Sequence, residues 1–154
     1  MSLVLQGLCK RFDNSEKDTL HEIDLEVSAG EFVCIVGASG CGKSTLLNLV
    51  AGLEQPTQGK VLLDGAEVVQ PGADRTVMFQ EHGLFPWLTV LENVEFGMKL
   101  AGLSKKQQED KARHYLEMMN LWEYRDYPIH QISGGLRQRP ALARCLTMES
   151  LLML

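Results

Sequence analysis

The segment Gly37-Ala38-Ser39-Gly40-Cys41-Gly42-Lys43-Ser44-Thr45 constrains this chain more than any other. It sets four residues between two glycines and follows them with Lys and Ser. Ahead of it runs Phe32-Val33-Cys34-Ile35-Val36, a continuous apolar stretch. That order predicts a central parallel strand covered on both faces, then a tight turn. Behind it, Lys43 to Ala51 carries Leu46, Leu47, Leu49 and Val50 and stops at Gly52, which predicts a helix with glycine at its C′ position. These residue types suit one task, the binding of a polyphosphate. Successive backbone N–H groups aimed at one anion need a path that glycine follows at little cost. A helix start adds unpaired N–H groups and the positive end of its dipole. Lys43 can place its ammonium on the outer phosphates, and the Ser44 hydroxyl can ligate Mg²⁺. A glycine-rich turn of no function is the competing reading, and the strand before and helix after weigh against it. The prediction is a nucleotide site.

The remaining chain reads as α/β. Ile23, Leu25 and Val27 alternate with Asp24 and Glu26, the period of a half-buried strand. Val61-Leu62-Leu63 and Glu67-Val68-Val69 flank Asp64-Gly65, a hairpin pattern. Thr76 to Phe79 is a further short strand. After Pro86 the period becomes helical. Thr89 with Glu92, and Ser104 with Gln107, each make a capping box ahead of an apolar stripe. Residues 87–132 are therefore expected to be a helical insertion. It separates a β subdomain and phosphate-loop core over 1–86 from a helix and the start of a strand over 133–154. Leu151 to Leu154 is that strand start.

Composition excludes several function classes. The 154 residues carry a net charge of −5, so nucleic acid is not an expected partner. The four cysteines (9, 34, 41 and 145) form no CxxC pair, which fits a reduced, cytosolic setting better than a disulfide framework. The N-terminal residues lack a cleavable signal pattern, and no apolar run approaches the ~20 residues that span a bilayer. A soluble intracellular protein is the expectation. His21, His82, His114 and His130 are scattered without ligand spacing, so no histidine metal site is expected.

A second anion-binding device lies in Ile132-Ser133-Gly134-Gly135-Leu136-Arg137-Gln138-Arg139. Ser133 is placed to cap a helix, and two glycines let a phosphate reach the backbone. One nucleotide rarely needs two such devices from the same molecule. A head-to-tail dimer, in which each chain completes the other's site, accounts for both.

Together the phosphate loop, Phe79-Gln80-Glu81 and the Ser-Gly-Gly segment resemble the ATP-binding cassette subunits of ABC transporters. Pro71 to Arg75, Leu84-Phe85-Pro86-Trp87, Asn93-Val94 and Phe96-Gly97 resemble the branch serving nitrate, sulfonate and taurine importers. The resemblance covers essentially the whole chain. It implies a P-loop NTPase (RecA-like) core with an N-terminal antiparallel β subdomain and an inserted helical subdomain, incomplete at the C-terminus. It also implies binding of ATP and Mg²⁺ through residues 37–45. Phe12 would stack on adenine, with a buried core aromatic as the alternative. Gln80 would touch Mg²⁺ and the attacking water. Ser133, Gly134, Gly135 and Leu136 would form the signature that meets the partner cassette's ATP. The helical insertion would dock on a transmembrane permease, which would hold the chain peripherally on the inner face of the cell membrane.

Three departures from the family pattern give further expectations. The family's apolar strand leads into Asp-Glu, and a later loop supplies a histidine; the sequence stops at Leu154, ahead of both. The expectation is a fragment that binds ATP far better than it hydrolyses it and exposes an apolar sheet edge, so that it aggregates. A non-hydrolysing nucleotide-binding module and a gene relic without function are the alternatives. Pro140 falls inside the signature helix, which predicts a kinked or shortened helix. Ile132 and Leu136 replace the Leu and Gln of the commonest signature, a modest change.

Overall fold

The computed structural model describes residues 2–13, 16–81 and 83–154, and divides into two compact units, Met1–Gly72 and Ala73–Leu154. The first unit holds β1 (Ser2–Lys10), β2 (Leu20–Ser28), α1 (Lys43–Ala51), β3 (Gln58–Leu63) and β4 (Ala66–Glu67). Its four-stranded antiparallel sheet has the order β2-β1-β3-β4. Strand β1 buries Leu3 and Leu5, then changes phase and buries Leu8 and Cys9. The ladders on both sides of β1 slip within that stretch, around Gly7 at φ +54°. The Gly7 N–H, displaced from the ladder, donates instead to Asp24 Oδ1 at 2.7 Å. A bulge thus shifts the inward face by one residue without leaving a donor unpaired.

The expected hairpin is present. Asp64 and Gly65 both have positive φ (50° and 80°), and Leu63 pairs with Ala66. Two consecutive left-handed residues give the twist that tight hairpins need. Helix α1 has the bounds read from sequence, with Gly52 closing it in the left-handed region at φ 76°. Leu49 and Val50 are among its buried residues.

The second unit contains β5 (Arg75–Thr76), α2 (Val90–Leu100), α3 (Lys105–Met118), α4 (Gly134–Leu146) and β6 (Leu152–Met153), with short 3-10 turns at Trp122–Tyr124 and Ile129–Gln131. Its core gathers Val90, Val94 and Met98 of α2, Ala112 and Leu116 of α3, Leu121, Ile129, Ile132 and Ala143. Both capping boxes form: Thr89 accepts the Glu92 N–H while Glu92 accepts the Thr89 N–H, and Ser104 with Gln107 does the same. The first N–H groups of α2 are satisfied from outside the helix, Val90 by the Tyr127 carbonyl (3.0 Å) and Leu91 by that of Arg125 (2.9 Å). Strands β5 and β6 pair in parallel, Arg75 with Leu152 and Thr76 with Met153. The strand expected over Thr76–Phe79 therefore starts one residue earlier and ends sooner, although the Met78 N–H still reaches the Leu154 carbonyl at 2.8 Å.

Two expectations are corrected. Residues 32–36 form no strand, and Phe32 and Val36 are 92 % and 91 % exposed. A central strand exists only with ladders beside it, and among the described residues no segment pairs with this one; apolar continuity alone does not supply the partners. Helix α4 is not shortened by Pro140: it runs 13 residues, Gly134 to Leu146, with the proline ring buried inside it. The proline lacks the N–H that residue 140 would otherwise give the Leu136 carbonyl.

Candidate functional site

In the first unit, the loop before α1 is bent by Gly40 (φ 78°) and Gly42 (φ 98°), the latter being the N-cap residue of α1. A side chain at Gly42 would be strained by that φ and would also meet Leu20 Cδ2 at 2.8 Å and the Thr19 carbonyl at 3.0 Å. Lys43 folds back across the loop. Its ammonium donates to the carbonyls of Gly37 (2.8 Å) and Ala38 (2.7 Å) and lies 3.7 Å from Cys41 Sγ. Residues 37–41 and Ser44 are exposed. One cation, a hydroxyl and the open first turn of a helix thus share a solvent-facing arc within nine residues, a composition suited to anions.

Phe12 is 40 % exposed, and Lys10 Nζ stands 5.0 Å from its ring centroid. A buried core aromatic, the competing reading of this residue, is excluded by that exposure. Lys10 is held by Glu54 (3.0 Å) and the Gln55 carbonyl (2.7 Å), while Arg11 pairs with Asp18 at 2.8 Å. The Arg11 hydrogen bond holds the Asp18 carboxyl below its usual range.

In the second unit, Gln80 is exposed in a turn after β5. Ser133 is the N-cap residue of α4 in extended conformation, and its carbonyl accepts the N–H groups of Leu136 (3.0 Å) and Arg137 (3.1 Å). Ser133, Gly134 and Gly135 are exposed, and a Cβ on either glycine would meet nothing within 4 Å. The Arg137 side chain reaches back to the carbonyls of Ile132 (3.2 Å) and His130 (3.3 Å), fixing the turn that leads into the helix.

Comparison with known proteins decides what these loops belong to. The ABC transporter family profile matches residues 20–154. The chain belongs to the ABC transporter family. An uncharacterised ABC transporter ATP-binding protein of Methanocaldococcus jannaschii is 46 % identical over 97 % of this chain and 57 % of its own length. The nitrate import ATP-binding protein of a Synechocystis strain is 51 % identical over 82 % of this chain and 48 % of its own. The taurine import ATP-binding protein of Burkholderia pseudomallei is 48 % identical over 84 % and 50 %. A dimeric bacterial ABC transporter cassette superposes with a TM-score of 0.86 at 31 % identity, over 98 % of this chain and 72 % of that one. A dimeric post-hydrolysis state described as bound to ADP and Pi gives 0.85 at the same identity and the same coverage. The chain spans about half the length of the curated relatives it matches. Its fold is that of the ABC cassette, with an antiparallel β-sheet unit and a helical unit.

Two residues of this ABC family chain have roles that the motifs did not give: Asn93, quoted only as part of a family segment, and Arg144. Asn93 is fully buried on α2 and brackets the loop after Gln80. Its Oδ1 accepts the Phe85 N–H (2.8 Å), and its Nδ2 donates to the carbonyls of Phe85 (3.1 Å) and Thr89 (2.9 Å). The signal was legible in principle, since a lone carboxamide stands on the Val90, Val94 and Met98 face. Arg144, on α4, donates to the Gly83 carbonyl at 2.8 Å and lies 5.8 Å from the Phe85 ring centroid. Burial lowers the pKa of its guanidinium and raises that of the neighbouring Cys145 thiol. No sequence signal marked Arg144, because its target is a main-chain oxygen.

The same unit carries an open groove of about 820 Å³ along α2 and the start of α3. Trp87, Leu88, Phe96 and Leu100 give it an apolar wall, and Glu95 and Lys105 are among its polar lining. Trp87 and Leu100 are 75 % and 76 % exposed. Burial, with the nearby Glu109 charge adding to it, raises the pKa of the Glu95 carboxyl. No helix among the described residues is long and apolar enough to cross a membrane.

Proposed function

We propose that this chain is the ATP-binding portion of an ABC importer cassette of the nitrate, sulfonate and taurine branch. In this reading, ATP binding and hydrolysis drive solute transport. The observation that carries it is the position of Lys43, whose ammonium sits across the loop from the first turn of α1. Residues 38–45 would hold the phosphates by their N–H groups, Lys43 would neutralise their outer oxygens, and Phe12, open to solvent, would take the adenine ring. Ser44 would give Mg²⁺ an oxygen ligand of the kind a hard divalent cation takes, and Gln80 carries a second oxygen donor suited to the same ion. When bound, that ion would balance the triphosphate charge.

The start of α4, with Ser133, Gly134 and Gly135 exposed and Leu136 half-buried against the core, would meet the nucleotide of a second cassette in a head-to-tail dimer. The similarity to a dimeric cassette supports this reading. The groove bearing Trp87 and Leu100 is the face on which a permease would dock, bringing the chain to the inner surface of the cell membrane. Exposed aromatic and aliphatic side chains beside charged ones are what such an interface requires.

Thermal unfolding with and without Mg·ATP tests the proposal. At ligand a hundredfold above Kd the native state gains about 2.7 kcal/mol. Stabilisation together with phosphate release supports a working ATPase portion. Stabilisation without release indicates a module that binds nucleotide without turning it over. Absence of stabilisation contradicts nucleotide binding.

A further inference from the structure

We propose that Arg144 is a positioning residue that fastens the loop following Gln80 to the helix beginning with Ser133-Gly134-Gly135. This rests on the functional reading above, in which Gln80 and that helix start both serve nucleotide. The fastening itself is a matter of geometry.

Three contacts define the fastened piece. At its near end, the Arg144 guanidinium donates to the Gly83 carbonyl and covers the Phe85 ring. At its far end, Asn93 takes both polar groups of Phe85 and the carbonyl of Thr89. In between, Phe85 packs on Phe96 with ring centroids 4.5 Å apart. Helices α2 and α4 share a core, Ala143 of α4 lying with Val90, Val94 and Met98 of α2, and just past the end of α4 a Cβ on Gly97 would lie 2.6 Å from Met148 Sδ. Residues 83–89, α2 and α4 therefore form one block. Gln80 lies outside it, exposed and ahead of the Arg144 contact.

The consequence is directional. A displacement of Gln80 that reaches Gly83 pulls on the side chain of Arg144, and through it on α4. Without Arg144, Gly83 can move while α4 stays where it is. Asn93 holds Phe85 from the α2 side while Arg144 covers its ring, so the loop is gripped from two sides and loosens when either grip is lost.

Amide hydrogen exchange on the 154-residue chain tests this, read at Phe85 and Leu88, whose N–H groups are bonded within the block. Arg144→Gln is expected to speed exchange at these amides at least about tenfold, the range for a lost bond from a charged donor. Exchange in the interior of α2 and α3 should stay within twofold. Arg144→Lys keeps one charged donor and should recover most of the protection. Phe85→Leu, which keeps the loop's backbone bonds, supplies a second variant with a smaller increase if Arg144→Gln does not fold. Unchanged loop exchange in both variants, or equal acceleration through all helices with no rescue by lysine, overturns the proposal. Mg·ATP affinity, measured in parallel, tests the nucleotide reading separately, because Arg144→Gln leaves the Lys43 loop untouched.

Discussion

Asn93 and Phe85 form a reciprocal pair: the carboxamide oxygen accepts the Phe85 N–H at 2.8 Å, and the carboxamide nitrogen donates to the Phe85 carbonyl at 3.1 Å. With Asn93 fully buried, this pair replaces water for a loop that has no ladder of its own. Asn93→Leu would take away the carboxamide partner of the Phe85 N–H, while the Phe85 carbonyl would keep its bond from the Leu88 N–H. We predict destabilisation of about 1–3 kcal/mol, the cost of one orphaned group. Urea unfolding of the variant checks it, and a loss under 1 kcal/mol would show that the loop finds other partners.

The Glu95 carboxyl is held above its ordinary pKa of 4.5, first by burial and then by Glu109. The folded state therefore binds this proton more tightly than the unfolded chain does. Stability is lost as pH rises through the interval between the unfolded and folded values, and stays lost above it. Glu95→Gln should raise the melting temperature at pH 7 relative to the parent, with the difference vanishing near pH 4. Equal effects at both pH values would contradict this.

Cys34 and Cys41 are exposed, whereas Cys9 and Cys145 are buried. A thiol reagent should modify two cysteines in the native chain and four in denaturant. If the loop before α1 takes nucleotide, Mg·ATP should slow modification at Cys41, with Cys34 as the internal control. Peptide mass mapping distinguishes the sites.

Much of this was legible because it is local. The bounds of α1, the Asp64-Gly65 hairpin and both capping boxes depend on residues within one turn of each other. Local chemistry determined them. The run Phe32–Val36 misled because a parallel strand is made by its neighbours, and an apolar string does not reveal whether they are present. Strand β1 changes inward phase at Gly7, so simple alternation cannot list its buried residues. In the candidate site, the loop at Lys43 and the helix start at Ser133 were readable as motifs, whereas the Arg144–Gly83 contact joins residues 61 apart through a carbonyl that every residue possesses.

At Pro140 the expected cost does not show as a shorter helix. Helix α4 absorbs it, with the ring buried. Interior proline still costs up to ~3 kcal/mol. Pro140→Val, close in volume, should therefore stabilise the chain by about 1–3 kcal/mol in urea unfolding by restoring the bond to the Leu136 carbonyl. A loss of stability would mean that ring packing outweighs the missing bond.

The central claim is that the loop ending at Lys43 grips a triphosphate. Calorimetric titration of Mg·ATP into the parent, Lys43→Ala and Lys43→Arg tests it most directly. Loss of the ammonium should weaken binding at least about tenfold, or about 1.4 kcal/mol, with arginine recovering part of it. Identical affinities in all three would contradict the account.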